Sequence, residues 1–149
     1  MRLAVLSDTH LPRGARRLPE ACVARVRAAD LVLHAGDFVS AAFLDELLAL
    51  GPPVAAVHGN VDEEAIRRRL PAERVVEAAG ARIGMVHDAG PAAGRLARLR
   101  ARFPDCDAVV FGHSLNPGSP TDRRRQPVHT MGEATVDGGR VSFALVELA

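Results

Sequence analysis

Short apolar runs along this chain end abruptly in polar residues able to do chemistry. Leu3-Ala4-Val5-Leu6 has strand length and a β-branched residue, and it stops at Ser7-Asp8-Thr9-His10. Leu31-Val32-Leu33 stops at His34-Ala35-Gly36-Asp37, and Val54 to Val57 at His58-Gly59-Asn60-Val61-Asp62. Arg82 to Val86 runs into His87-Asp88, and Ala108 to Phe111 into Gly112-His113-Ser114. Between these runs the apolar period lengthens to that of helices: Glu20 to Ala29, Ala41 to Leu50, Glu63 to Leu70 and Arg95 to Arg102. Arg74 to Ala78 is a further strand, turning at Gly80 into the next. Val128 to Val136 and Arg140 to Leu148, joined by Asp137-Gly138-Gly139, read as a closing hairpin. Strands alternating with helices predict an α/β fold with mostly parallel strands at first, and the antiparallel tail predicts a second sheet. With no internal repeat, low-complexity stretch or linker, residues 1–149 are expected to form a single domain.

Composition changes this picture little. A hydrophobic share of 48% beside 25% charged residues suits a globular chain. No apolar run nears the roughly 20 residues that cross a bilayer, and the N-terminal run is too short for a signal peptide, so a cytoplasmic location and no membrane partner are expected. Cys22 and Cys106 form no CxxC and read as buried free thiols. Cys22, Met85 and Met131 are expected to fill the core. A net charge of +1 carries no nucleic-acid footprint, and 3% aromatic residues offer few stacking platforms for bases. All 19 basic residues are arginine, which suits phosphate, but a coding bias toward Arg and Ala explains this more simply.

In an α/β sheet, ligands bind beyond the carboxyl ends of the strands. That rule brings Asp8, His10, Asp37, Asn60, His87 and His113 to one rim. Nitrogen and oxygen donors together favour Mn, Fe, Zn, Co or Ni over Ca. The set exceeds what one tetrahedral ion needs, so two ions fit, with a carboxylate bridging them. Each residue also has a plainer reading. Asp37 could cap the next helix, Asn60 could close an Asx turn, and Asp62 could cap the helix starting at Glu63. His87 or His113 alone could be a hydrogen-bonded rim residue. It is five strand ends carrying such groups at once that favours a metal site.

Asp8-Thr9-His10, Gly36-Asp37, Gly59-Asn60-Val61-Asp62, His87, Gly112-His113 and Asn116-Pro117-Gly118-Ser119 together resemble the calcineurin-like metallophosphoesterases, in particular the small bacterial YfcE-like phosphodiesterases. The resemblance spans nearly the whole chain. It implies two β-sheets packed as a sandwich flanked by helices, a four-layer αββα arrangement. It also implies that Asp8, His10 and Asp37 hold a first ion, and that Asp37 bridges to a second completed by Asn60, His87 and His113. A hydroxide shared by the ions would attack phosphorus, and the neutral Asn60 would keep the site open to an anionic ester.

Two departures from that pattern stand out. Many relatives carry a histidine after Gly-Asn as general acid or phosphate contact; here the position is Val61, leaving His34, His58, Asp62 or water to protonate the leaving group. Relatives also read Gly-His-Thr/Ser-His, the last histidine binding the first ion, whereas here Gly112-His113-Ser114 is followed by Leu115. Either a segment carrying that histidine belongs between Ser114 and Leu115, the favoured reading, or the chain is truly shorter and the first ion has lost a ligand. His129 is expected to be structural rather than a substitute. Arg13, Arg16 and Arg17, and Arg123 to Arg125, could hold a phosphate but are read as solvated charge. Arg67 to Arg69 are assigned to a helix surface.

The expectation is a dinuclear metal-dependent phosphodiesterase using two divalent ions, Mn2+ first and Ni2+, Co2+, Zn2+ or Fe2+ next, on a small-molecule phosphodiester. Nucleic acid is disfavoured as a partner, and a homo-oligomer is left open. The alternative is a homologue with impaired metal binding that serves as a protein-interaction scaffold, as in the retromer branch of the superfamily. A dinucleotide-binding domain has no support, because no GxGxxG follows a strand.

Overall fold

The computed structural model describes residues 1–113, 118–122 and 127–148. Strands β1 (Arg2–Leu6), β2 (Leu31–His34) and β3 (Val54–Ala56) pair in parallel, β1 with β2 and β2 with β3. Helix α1 (Glu20–Arg27) links the first two strands, and α2 (Ala41–Leu48) the next two. Ser40 caps α2, its Oγ accepting the Phe43 N–H at 3.3 Å, so Asp37 is released from any capping duty. Helix α3 (Glu64–Arg69) follows β3, and its N-cap is Glu63, so the plainer reading of Asp62 as a helix cap does not hold.

The second sheet comes from the middle of the chain, not from its tail. Strands β4 (Glu73–Ala78), β5 (Ala81–Val86) and β6 (Ala108–Phe111) form a three-stranded sheet, with α4 (Arg95–Arg102) between β5 and β6. The closing hairpin, β7 (His129–Asp137) and β8 (Arg140–Leu148), joins the first sheet instead, in the order β3-β2-β1-β7-β8. The reason is an open edge: β2 occupies one side of β1, and β7 pairs antiparallel along the other. Both sheets are therefore mixed. Strand order cannot be read from a hairpin signal, because the hairpin says nothing about which older edge it extends.

Packing gives four layers. Between the sheets lie Leu3, Val5, Leu33 and Val57 from one side and Ile83, Met85 and Val110 from the other. On the outer face of the larger sheet, Cys22 and Val26 of α1, Phe43, Leu44 and Leu47 of α2 and Ile66 of α3 pack on Ala4, Leu6, Val32 and Met131. Leu99 of α4 and Phe103 cover β5 and β6 through Val86, Val109 and Phe111. Met85, Met131 and Cys22 are fully buried, as expected. Cys106 is only half-buried, since it sits in the turn before β6 rather than under a helix. Among the described residues no helix is long and apolar enough to cross a membrane.

Candidate metal centre

The carboxyl ends of β1, β2 and β6 open on one side, together with the loops after β3 and β5. The segments after β1 and β2 keep running side by side past the sheet. Asp8 N–H donates to Gly36 O at 3.0 Å, His10 N–H to Asp37 O at 3.0 Å and Leu11 N–H to Phe38 O at 2.8 Å. This ladder fixes where Asp8, His10 and Asp37 point. Four of the six candidate ligands hold left-handed backbone: Asp8 at φ 53°, His10 at 48°, Asp37 at 61° and His113 at 59°. Such conformations cost roughly 1–3 kcal/mol each and persist where the surroundings over-determine them. Here they turn the side chains off the strand ends and into one cleft.

The cleft is open, about 500 Å³, and its walls include His10, Asp37, Asn60 and His113, with Arg13 and Asp122 at one side. At its floor, buried Asp37 Oδ2 lies 3.3 Å from His10 Nε2 and 3.2 Å from His87 Nε2. Asn60 Oδ1 is 3.0 Å from the same His87 nitrogen. Ligand atoms of Asp8, His10 and Asp37 lie within 4.8 Å of one another, and so do those of Asp37, His87 and His113. Asp37 thus belongs to both groups. Asp8 ties the two ends of the cleft together, its Oδ2 accepting the Ser7 hydroxyl and the His113 N–H, the latter at 3.1 Å.

The donor set suits cations. His87 Nδ1 lies 2.7 Å from the Ala35 carbonyl, an acceptor only, so it carries the proton and donates. Its Nε2 then presents a lone pair to two oxygens, Asp37 Oδ2 and Asn60 Oδ1. Lone pairs of a carboxylate, an imidazole and an amide oxygen meeting at one point suit a shared proton or a metal ion. Without a metal, burial opposes charge on His87, but the hydrogen bond to Asp37 and its charge prevail and raise the imidazole pKa. Burial likewise opposes ionisation of Asp37, yet the bonds from His10, His87 and the Val61 N–H outweigh it and hold its carboxyl well below the usual range.

Glycine and Asp62 bring the loops this close. A Cβ on Gly59 would lie 2.0 Å from Asp37 Oδ1, and one on Gly36 would lie 2.8 Å from Gly59 N. Asp62 is buried and binds three backbone N–H groups: Val39 at 2.7 Å through Oδ1, and Gly59 at 2.7 Å and Asp37 at 3.1 Å through Oδ2. It staples the Asp37 loop to the Asn60 loop and has no freedom to act as an acid. Arg67, though exposed, is not idle surface: its guanidinium donates to Asp62 O at 2.9 Å and Asn60 O at 2.8 Å. Arg68 and Arg69 do pair at the surface, with Glu64 and Asp45.

His34 is also withdrawn from proton transfer. It is fully buried, accepts the Gly36 N–H on Nδ1 at 3.2 Å, meets Thr9 Oγ1 from Nε2 at 3.1 Å and stacks on Phe38. Burial, with the neighbouring His87 charge, drives its pKa down to about 3. His58 stays half-buried at the edge, its ring near Gly59 O. His129 opens β7 and belongs to neither ligand group.

The profile of the calcineurin-like phosphoesterase superfamily domain matches residues 1–139. The chain belongs to that superfamily. A probable metallophosphoesterase of Methanothermobacter thermautotrophicus is 35% identical, the alignment covering 98% of this chain and 92% of the relative. In fold, this phosphoesterase domain matches Vps29 of Chaetomium thermophilum with a TM-score of 0.78 at 20% identity, over 98% of this chain and 97% of that one. It matches a novel archaeal phosphodiesterase with a TM-score of 0.73 at 18% identity, over 98% and 100%. The family implies divalent metal ions, and the two ligand groups at the rim are where such ions fit.

The sequence itself answers the question at Ser114: the 149-residue chain is continuous, with Leu115 directly after Ser114. The chain is truly shorter, and the expected intervening segment is not part of it. Ser114 to Pro117 and Arg123 to Gln126 lie outside the described residues. What the sequence reading missed are the residues that hold ligands: Asp62 as staple, Arg67 as clamp, and Ser119, Thr121 and Asp122 beside the first strand end. Of these, Asp62 and Ser119 stood in recognised motifs.

Proposed function

We propose that this chain is a dinuclear metal-dependent phosphodiesterase. The observation that carries the reading is Asp37, a buried carboxylate whose one oxygen lies 3.3 Å from His10 Nε2 and 3.2 Å from His87 Nε2. Asp8, His10 and Asp37 would hold one ion, and Asp37, Asn60, His87 and His113 the other. Bound there, the ions would supply an activated water and neutralise charge on the phosphoryl oxygens. The chain's own part is to fix the donors. His87 is locked in the Nδ1–H tautomer by Ala35 O, which leaves Nε2 for an ion. In the metal-free chain, bonds from His10, His87 and the Val61 N–H hold Asp37 ionised, and the ions would take the place of the two imidazole protons. Asn60 adds an oxygen without charge, so the cleft can accept an anionic diester. With His34 and Asp62 committed to structure, water at the open mouth of the cleft or His58 at its edge is left to protonate the leaving group.

Manganese is tried first among the transition ions that a mixed imidazole, carboxylate and amide site favours over calcium. The test is hydrolysis of bis-p-nitrophenyl phosphate by metal-stripped protein after adding Mn2+, Ni2+, Co2+ or Zn2+. Turnover that depends on the ion and disappears in Asp37→Ala supports the reading; no turnover with any of the four rejects it. The missing second histidine favours one other reading, a scaffold that keeps the fold without the chemistry. The same assay separates them, since a scaffold hydrolyses no diester whether or not it takes up metal.

A further inference from the structure

We propose that Asp122 is a positioning residue for His10: its carboxylate accepts a hydrogen bond from the imidazole Nδ1–H and so turns the Nε2 lone pair to the first ion. The inference rests on the metal-site reading above. His10 Nε2 faces Asp37 Oδ2 at 3.3 Å, toward both ligand groups. An imidazole that ligates through Nε2 must carry its proton on Nδ1. That Nδ1 is shut off from solvent and has no hydrogen-bond partner among the described residues. Asp122 Oδ2 lies 3.5 Å away, on the opposite side of the ring from Asp37. A small rotation of either side chain closes this gap to a hydrogen bond.

The carboxylate is not there by chance of a loose loop. Its backbone is sewn to the segment that carries His10. Ser119 Oγ donates to Asp8 O at 2.7 Å and accepts the N–H of Thr121 at 3.2 Å and of Asp122 at 2.9 Å. Thr121 Oγ1 donates to Thr9 O. Two successive carbonyls of the His10 segment, Asp8 and Thr9, are thereby tied to the segment that ends in Asp122. Arg13 and Arg16 approach the same Asp122 oxygen at 3.6 and 3.7 Å, which balances its charge on the solvent side. A carboxylate behind a ligating histidine fixes its tautomer and raises its basicity, and losing such a partner costs roughly 10–100-fold in metal affinity. The first position is the one left a histidine short by the junction of Ser114 with Leu115, so a stronger His10 acts where a donor is missing.

The experiment is calorimetric titration of metal-stripped full-length protein with Zn2+, joined to 15N–1H spectra of the histidine rings. Wild-type protein should take up two ions, with His10 held as Nδ1–H. Asp122→Ala should weaken one step by about 10–100-fold and leave the other within about twofold. The His10 ring should then lose its fixed tautomer, while His87 keeps its own. Asp122→Asn, which can still accept, should keep the tautomer at an affinity reduced by less than about tenfold; it carries the test if the alanine variant does not fold. The inference is overturned if Asp122→Ala leaves both steps unchanged, if both weaken alike, if Asp122→Asn binds as tightly as wild type, or if an Arg13→Gln, Arg16→Gln variant reproduces the loss. Wild-type protein that takes up no metal overturns the metal-site reading along with it.

Discussion

Replacing Asp62 by asparagine tests whether one buried carboxylate holds the two halves of the site together. The change keeps shape and volume. It removes the charge and leaves one oxygen where three N–H groups converge. With that oxygen at the Oδ2 position, Gly59 and Asp37 keep their bonds, while the new amide NH2 faces the Val39 N–H across 2.7 Å, donor against donor. A hydrogen bond to a charged group is worth about 1.5–3 kcal/mol, and a stranded buried donor costs about 1–3 kcal/mol. Val39 adds to this, since it is β-branched at φ 89° and the lost bond helps to hold it there. We expect Asp62→Asn to lose roughly 2–4 kcal/mol by urea unfolding at unchanged m-value. Phosphodiesterase activity should fall with it, because Asp37 and Asn60 lose a shared anchor. Glu63→Gln is the control: Glu63 Oε1 accepts the Ala41 N–H at the same 2.7 Å, but in water's reach, so its loss should stay within about 0.5 kcal/mol. If Asp62→Asn is as mild as Glu63→Gln, the staple is not what joins the loops.

Gly59→Ala places a methyl 2.0 Å from Asp37 Oδ1 and 2.6 Å from Asp37 N, so it should abolish metal-dependent turnover while the circular dichroism of the sheets persists. His34 is neutral in the fold, with a pKa near 3, but protonates near 6.5 once unfolded. The unfolded chain therefore binds the extra proton, and His34 stabilises the fold above pH 6.5 and loses that contribution as pH falls toward 3. Between these limits wild-type stability should fall more steeply with pH than that of His34→Gln, by up to about 1.4 kcal/mol per pH unit. Burial, opposed by Arg25, pushes the Cys22 thiol up to about 12, so a thiol reagent should label Cys106 alone in native protein and Cys22 only after denaturant.

The candidate ligands were legible in the sequence because each stands where an apolar run breaks, and a strand must break at its end. The same logic located the helices, whose boundaries moved by one or two residues at most. What escaped were partners set by folding rather than by local pattern. Asp62 looked like a helix cap because it precedes Glu63; in the fold its carboxylate turns back to Val39 and Asp37, more than twenty positions earlier. Arg67 looked like solvated charge because its helix is short and basic, yet a long guanidinium reaches carbonyls five and seven residues back. The tail hairpin was assigned to a second sheet because its pairing with β1 spans the whole chain and leaves no local trace. Asp122 carried no signal at all: an aspartate after Pro-Thr in a turn reads as solvent-facing until His10 is seen beside it.

The central claim is that Asp37 is shared by two neighbouring ions, and anomalous diffraction from crystals soaked in Mn2+ measures this directly. The account predicts two peaks about 3.5–4 Å apart, one beside Asp8 and His10 and the other beside Asn60, His87 and His113, with the Asp37 carboxylate in contact with both. A single peak, or two that do not both touch Asp37, would contradict it.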